Sequence, residues 1–299
     1  MLQLEDLRVL VEVIDHGGFT PAAARLGLSK QVVSRRVMAL EERLGTRLLV
    51  RTTRRMSPTA MGQQLLERGR RILADVDEAE QVVTCGAALP RGLLRVSAPV
   101  SFGTMHLSAI VPGFLATYPA MELDIDLNDR AVDLVGEGYD MAIRVGPLAD
   151  STLIARKLGA MHGVACCSPD YARRHGVPDT PADLVGHECL LYGHGRAQDW
   201  RFQIGKHMKT VPVTGRMRAN NGEMLRDAAV AGLGIALLPS FIASAALRAG
   251  TLSPMLEAFM PRTMGVYAIY PRHRQMSVTV RAFGDHVQGC LAEVPGWER

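Results

Sequence analysis

The apolar residues of this chain change period along its length. Leu4, Leu7, Leu10, Val11 and Ile14 recur at spacings that put them on one side of an amphipathic helix, closed by Gly17 and Gly18. Thr20 followed by Pro21 predicts a second helix start, because a hydroxyl can accept an orphan backbone N–H and proline fits the first helical position. That helix would run to Leu26. Gly27 can take the left-handed conformation that ends a helix, and Ser29 offers a cap for the next one, so the turn between them is about three residues long. In the third helix Val33, Val37, Leu40 and Leu44 share one face. At roughly 100° per residue Gln31, Arg35 and Met38 fall on the opposite face, flanked by Lys30 and Ser34. The pattern is that of a helix-turn-helix lying on a first helix.

Beyond Gly45, Leu48 to Val50 and Ser57-Pro58 bracket a basic segment, Arg51 to Arg55, which suits a two-stranded wing. From Thr59 to about Ala88 the period becomes that of one long helix. Leu65, Gly69, Ile72, Val76, Ala79 and Val83 alternate spacings of four and three, the seam of a coiled coil. A lone helix would expose this seam, so a homodimer is expected, which would present two recognition helices to an inverted repeat. Packing of the seam on the chain's own large domain is the alternative. Ala87 to Gly92, with Pro90, predicts a hinge.

After the hinge, strands and helices alternate. Leu93 to Ala98, Glu122 to Leu127 and Met141 to Val145 read as strands, with helices at Ser101 to Tyr118 and Ala131 to Glu137. A second series has strands near Val164 to Cys167, Cys189 to Leu191, Arg201 to Ile204, Val211 to Val213 and Ile235 to Leu238, with helices from Pro169, near Ala182 and from Glu223. The strand Val266 to Tyr270 and the helix Val278 to Cys290 end the pattern. The fold class is α/β, and the alternation implies parallel sheets.

Charge sharpens this division. From Arg25 to Arg55 nine basic residues stand against two acidic ones, a net of +7, although the whole chain of 299 residues carries only +4. Positive charge is thus concentrated where a polyanion would use it. On the outward face of the third helix, Arg35 has a guanidinium suited to guanine or phosphate, and Gln31 an amide suited to adenine. A solvated helix face with no partner is the competing reading, and the charge count weighs against it. No apolar run reaches a membrane-spanning length, and Glu5 and Asp6 make the amino terminus unlike a signal peptide, so a cytoplasmic location is expected. The five cysteines contain no C-x-x-C pair, which points to reduced thiols and no zinc site.

These motifs resemble the LysR-type transcriptional regulators. The resemblance rests on Ser29-x-x-x-Val33-Ser34-Arg35, Leu40-Glu41-x-x-Leu44-Gly45, Arg51-Thr52-Thr53-Arg54 and Thr59-x-x-Gly62. Later landmarks are Val132-Asp133-Leu134, Ile143-Arg144-Val145-Gly146, Ser168-Pro169-x-Tyr171, Asn220-Asn221-Gly222-Glu223 and the segment from Gly232 to Pro239. Lys30 then Gln31 departs from the Gln followed by Pro or Ser common after the capping serine, which bears on base preference. The resemblance implies a winged helix-turn-helix over 1–58, a linker helix over 59–88 and an effector-binding domain over 89–299. That domain would hold two periplasmic-binding-protein-like subdomains, 91–161 with 266–299 and 162–265, with crossovers near Met161 and Gly265. It further implies double-stranded operator DNA as partner, contacted by Thr20, Ser29, Lys30, Gln31, Ser34, Arg35, Arg36, Arg51, Thr52, Thr53, Arg54 and Arg55. A tetramer built as a dimer of dimers and RNA polymerase as a partner follow from the same resemblance.

Ligands of open α/β sheets sit outside the carboxyl ends of strands, where helix N-termini present free N–H groups. Those ends are Pro99, Val100, Ser101 and Phe102, then Asn128, Arg144 and Gly146, and from the facing subdomain Asn220, Asn221 and Pro239. Ser101 and the asparagines would otherwise serve as helix caps. Arg144 carries the only charge among them, which favours a small organic anion as effector unless Asp140 or Asp129 already pairs with it. No G-x-S-x-G, H-E-x-x-H or Walker lysine pattern is present, so neither an enzyme nor a cofactor is indicated. The other reading of the residues is a cytoplasmic α/β solute-binding or catalytic protein whose basic N-terminal module serves assembly.

Overall fold

Leu10, Val13, Ala22, Val33, Val37 and Leu40 are buried together, and their burial draws α1 (Leu4–Asp15), α2 (Phe19–Leu26) and α3 (Lys30–Leu44) around one core. The computed structural model describes residues 2–51, 56–85, 89–148, 151–193, 197–261 and 263–293. The chain divides into two units, Met1–Leu89 and Pro90–Arg299.

In the first unit Gly27 takes the expected left-handed conformation at φ +64°, and Gly45 ends α3 in the same way. Ser29 caps α3, its Oγ accepting the Val32 N–H at 3.3 Å. Thr20 does not start α2. That helix begins two residues earlier than its Thr-Pro pair suggests, because the Gly18 carbonyl takes the first helical bond, from the Ala22 N–H at 3.3 Å. Leu4 and Leu44, expected on buried faces, are exposed; as the first and last residues of their helices they lie beyond the core.

The wing strands β1 (Leu49–Arg51) and β2 (Met56–Pro58) pair antiparallel. The Glu41 carboxylate accepts the N–H groups of Leu48 and Leu49 at 2.8 and 3.1 Å, tying α3 to the wing. Helix α4 (Ala60–Cys85) follows. Thr59 caps it, accepting the Gly62 N–H at 3.0 Å while its hydroxyl donates to the Arg47 carbonyl at 2.7 Å. A Cβ on Gly62 would stand 1.9 Å from the Leu48 carbonyl oxygen, so glycine is what lets strand and helix meet. Helix α4 lies along α1: Leu66 is buried, Gly69 faces Leu7 and Val11, and Arg8 pairs with Asp77 at 3.2 Å. Further along, Ile72 and Ala79 are exposed.

The second unit holds two five-stranded sheets. The first, ordered β4-β3-β5-β14-β6, comprises β3 (Gly92–Ala98), β4 (Met121–Leu127), β5 (Met141–Val145), β6 (Ile154–Met161) and β14 (Met264–Tyr270). A continuous helical stretch, α5 (Val100–Phe102), a π-helical turn (Gly103–Leu107) and α6 (Ser108–Thr117), packs on it with α11 (Val278–Glu293). The 18 residues Val100–Thr117 are long and apolar enough to cross a membrane by length and composition, contrary to the sequence expectation. Here they place Phe102, Leu107, Ile110 and Phe114 in the sheet's core. The expected helix at Ala131 to Glu137 shrinks to α7 (Leu134–Glu137), capped by Asp133.

The second sheet is ordered β11-β8-β12-β7-β13: β7 (Gly163–Cys167), β8 (Cys189–Tyr192), β11 (Met217–Ala219), β12 (Ile235–Pro239) and β13 (Ser253–Met255). Helices α8 (Pro169–His175), α9 (Gly222–Val230) and α10 (Ser240–Arg248) flank it. The hairpin of β9 (Ala197–Ile204) and β10 (His207–Thr214) turns at Gly205. Both sheets are mixed and not purely parallel. β14 runs antiparallel to β5 and β6, and β7 runs antiparallel to β12 and β13. The cause is the crossing: the chain leaves the first sheet through its edge strand β6 and returns through β14, which inserts antiparallel between β5 and β6, while β7, entering the second sheet, inserts antiparallel between β12 and β13.

Candidate DNA-reading surface and ligand cleft

Burial of Val33, Val37 and Leu40 fixes the roll of α3, and the other face is left outward with Lys30, Gln31, Arg35 and Met38 exposed. Among the described residues Arg35 has no ion-pair partner. Ser34 is half-buried, its hydroxyl 3.9 Å from the Met38 sulfur. Ser29 is spent on its cap. Arg36 leaves the predicted set: it turns to α1, 2.5 Å from the Glu5 carboxylate and 4.0 Å from Asp6. Arg43 closes the same seam on Asp6 at 2.6 Å. Thr20 is exposed on α2. Thr52, Thr53, Arg54 and Arg55, with the side chain of Arg51, lie outside the described residues.

In the second unit a cleft of about 670 Å³ opens between the two sheets. Of the residues predicted from strand ends, Pro99, Ser101, Phe102, Asn128, Arg144, Gly146 and Pro239 line it. Val100 is not on the wall; its N–H is bound to Asp129 at 3.2 Å. Asn220 and Asn221 are also off the wall. Asn221 caps α9, accepting the Met224 N–H at 3.0 Å, and its amide donates to Glu223 at 2.9 Å. Ser101 is not a cap. Its hydroxyl spans the cleft and donates to Glu223 at 2.5 Å.

Arg144 has no carboxylate within ion-pair distance among the described residues. It donates to the Ile143 carbonyl (2.9 Å), the Ser97 hydroxyl (3.3 Å) and the Arg130 carbonyl (3.2 Å), and burial pulls its pKa down from the ordinary guanidinium value. Asp140 is taken by Arg274 at 2.9 Å, in a largely buried pair. Asp129 instead accepts the Val100 N–H at 3.2 Å and faces the Tyr192 hydroxyl of the other sheet. Burial raises the Asp129 pKa, the neighbouring Glu223 adds to the rise, and the Val100 N–H, the Tyr192 hydroxyl and Arg144 oppose it.

The carriers of this geometry match known proteins throughout. Residues 4–63 match the bacterial regulatory helix-turn-helix protein model of the lysR family, and residues 87–291 match the LysR substrate binding domain. The chain belongs to the LysR family of bacterial transcriptional regulators. An uncharacterized HTH-type transcriptional regulator of Haemophilus influenzae is 35% identical over 281 residues, covering 94% of this chain and 98% of the relative. The HTH-type transcriptional regulator PtxR of Pseudomonas aeruginosa is 36% identical over 299 residues, covering 98% and 95%. The solved structure of CrgA, a LysR-type transcriptional regulator from Neisseria meningitidis, has a TM-score of 0.57 at 30% identity and covers 97% of this chain and 99% of that one.

Within this LysR-family regulator several cleft residues escaped the sequence reading. Asp129 follows directly on Asn128, and a rule naming strand ends had reason to include it. Tyr192, Trp200 and Arg201 also line the cleft. The last two arrive on the β9–β10 hairpin, whose alternation around Gly205-Lys206 was legible only as two short strands. Three of the regulator's thiols are buried and held protonated: Cys166 and Cys167 point into the cores on opposite faces of the sheet, and burial pushes them up to about 12 and about 11, and Cys189 to about 12. Among the described residues no His, Cys, Asp or Glu cluster suits a metal.

Proposed function

We propose that this regulator reads an operator with the outward face of α3 and with its wing, and that a small molecule held in the cleft alters its effect on transcription. Gln31 and Arg35 would contact base edges, with Thr20, Lys30 and Ser34 beside them and Arg51, Thr52, Thr53, Arg54 and Arg55 on the backbone. The exposed part of the α4 seam, around Ile72, supports a homodimer that sets two such faces against an inverted repeat. A dimer of dimers, a contact with RNA polymerase and work in the cytoplasm extend the same reading.

The observation that carries the effector half is the cleft itself, about 670 Å³ and walled by strand ends of both sheets. A ligand touching both walls binds one arrangement of the subdomains better than another. The differential is commonly about 1–3 kcal/mol. Fluorescence anisotropy with the DNA upstream of the regulator's own gene tests the reading, first alone and then with metabolites handled by the products of adjacent genes. Binding at least about a thousandfold tighter than to unrelated DNA is expected, with a shift in affinity or footprint on adding one metabolite. Equal affinity for every sequence would reject the operator reading, and a footprint unmoved by any metabolite would reject the effector.

A further inference from the structure

The groups around the cleft are a poor match for a plain anion. Arg144 presents a charge whose three hydrogen bonds all go to neutral oxygens, which leaves two of its five N–H donors unused. Asp129 stands on the same wall. Glu223 lies behind Ser101, and its field and that of Arg144 both act on Asp129. An anion drawn to Arg144 therefore meets two carboxylates, and a simple cation drawn to the carboxylates meets the guanidinium.

One acceptor in this corner is also left without a donor. The Ser101 hydroxyl is already given to Glu223, and the Tyr192 hydroxyl faces Asp129. The side-chain oxygen of Asn128 is buried with no donor among the described residues. Turning that amide over brings no relief, because its nitrogen donates to Asp126 at 2.7 Å and reversal would set two acceptors against each other. Trp200, Leu237, Ile242 and Met264 give the wall an apolar stretch from both subdomains, while Gln198, Asp199 and Arg201 of the hairpin add polar groups of both signs.

We infer that the cleft selects an amphoteric ligand, an amino-carboxylate on an apolar body, whose carboxylate meets Arg144 and whose ammonium meets Asp129. The inference rests on the effector reading of the cleft and narrows it to one class of head group. Each charge of such a ligand finds its opposite, its N–H groups supply the missing donor, and its body replaces water on the apolar stretch of the wall.

Isothermal calorimetry on the full chain with matched compounds tests it. The probes are L-phenylalanine, L-leucine and L-tryptophan, each beside the acid lacking the amine (phenylpropionate, isocaproate, indolepropionate) and the amine lacking the acid (phenethylamine, isoamylamine, tryptamine). At least one amino acid should bind about tenfold or more tightly than both of its mates. Asp129→Asn should abolish its advantage over the acid, the acid itself binding as tightly as before or tighter once the opposing carboxylate is gone, whereas Arg144→Gln should weaken the acid and the amino acid alike. Thermal unfolding of each variant without ligand confirms that it is folded, and Arg144→Lys, which keeps the charge, should retain part of the binding. Acids that bind as well as their amino acids overturn the inference and leave the effector reading standing. So does an amino acid whose advantage survives in Asp129→Asn, and so does binding by none of the nine compounds at millimolar concentration. An effector cleft with another chemistry would still answer in the operator experiment.

Discussion

A side chain acts here through what it is left free to touch. Arg35 and Arg36 are neighbours in sequence, yet Arg36 is held by Glu5 and Asp6 while Arg35 is exposed on the opposite face. Arg35→Ala should therefore weaken operator binding by about 1–3 kcal/mol and relax preference at one base position. Affinities across a set of single-base operator variants measure this, and an unchanged profile would move the reading face elsewhere. Asp129 makes a second prediction at this scale. Its carboxyl is raised mainly by burial, with Glu223 adding to the rise and with Arg144, the Tyr192 hydroxyl and the Val100 N–H opposing it. An ammonium group binds the ionised form better. Affinity for an amino-carboxylate should then rise with pH through the raised carboxyl range and level off above it. Calorimetry across that range should find the slope in the native chain and a flat profile in Asp129→Asn.

Elements are joined here by close backbone approach more than by side-chain volume. The start of α4 is the clearest instance, because Thr59 caps the helix, holds the Arg47 carbonyl and sets Gly62 against Leu48. A methyl group at Gly62 has no room, since the atom it would meet is backbone. Gly62→Ala should destabilise the first unit by about 1–3 kcal/mol, the usual cost of overpacking, and loosen the wing from the helix. Thermal denaturation followed by a probe in the first unit would show the loss; a melting temperature equal to the native one would mean that the junction yields freely.

For the whole molecule, what matters is the face each unit leaves uncovered. Part of the α4 seam is satisfied within the first unit, where Leu65 packs against its core and Gly69 lies on α1, while Ile72 is left 40% exposed. If a second copy covers it, Ile72→Asp should disrupt the dimer by placing a charge in an apolar seam. It should also lower operator affinity through the loss of the second recognition helix. Sedimentation velocity over a concentration series decides the first point, and a dimer unchanged in the variant would place the interface elsewhere.

The sequence by itself determined what local chemistry can express. The helical periods of the first unit, the left-handed Gly27, the cap at Ser29, the concentration of charge between Arg25 and Arg55 and the α/β alternation can all be read from the order of residues along the chain. The strand-end rule likewise reached seven of the residues that line the cleft. Only the tertiary structure decided the rest. The Arg36 side chain could serve DNA or α1 until a carboxylate stood 2.5 Å away. Ser101 and Asn221 look alike as caps, yet one spans the cleft and the other closes a helix. β6, β13 and α10 lacked a clear period, and the mixed sense of both sheets depends on where the chain crosses between them. The charge character of the cleft changed most, because Asp129, Tyr192 and Glu223 come from distant parts of the chain and meet Arg144 only after folding. Periodicity records which face of an element is buried; the partner waiting on that face is set by contacts far apart in sequence.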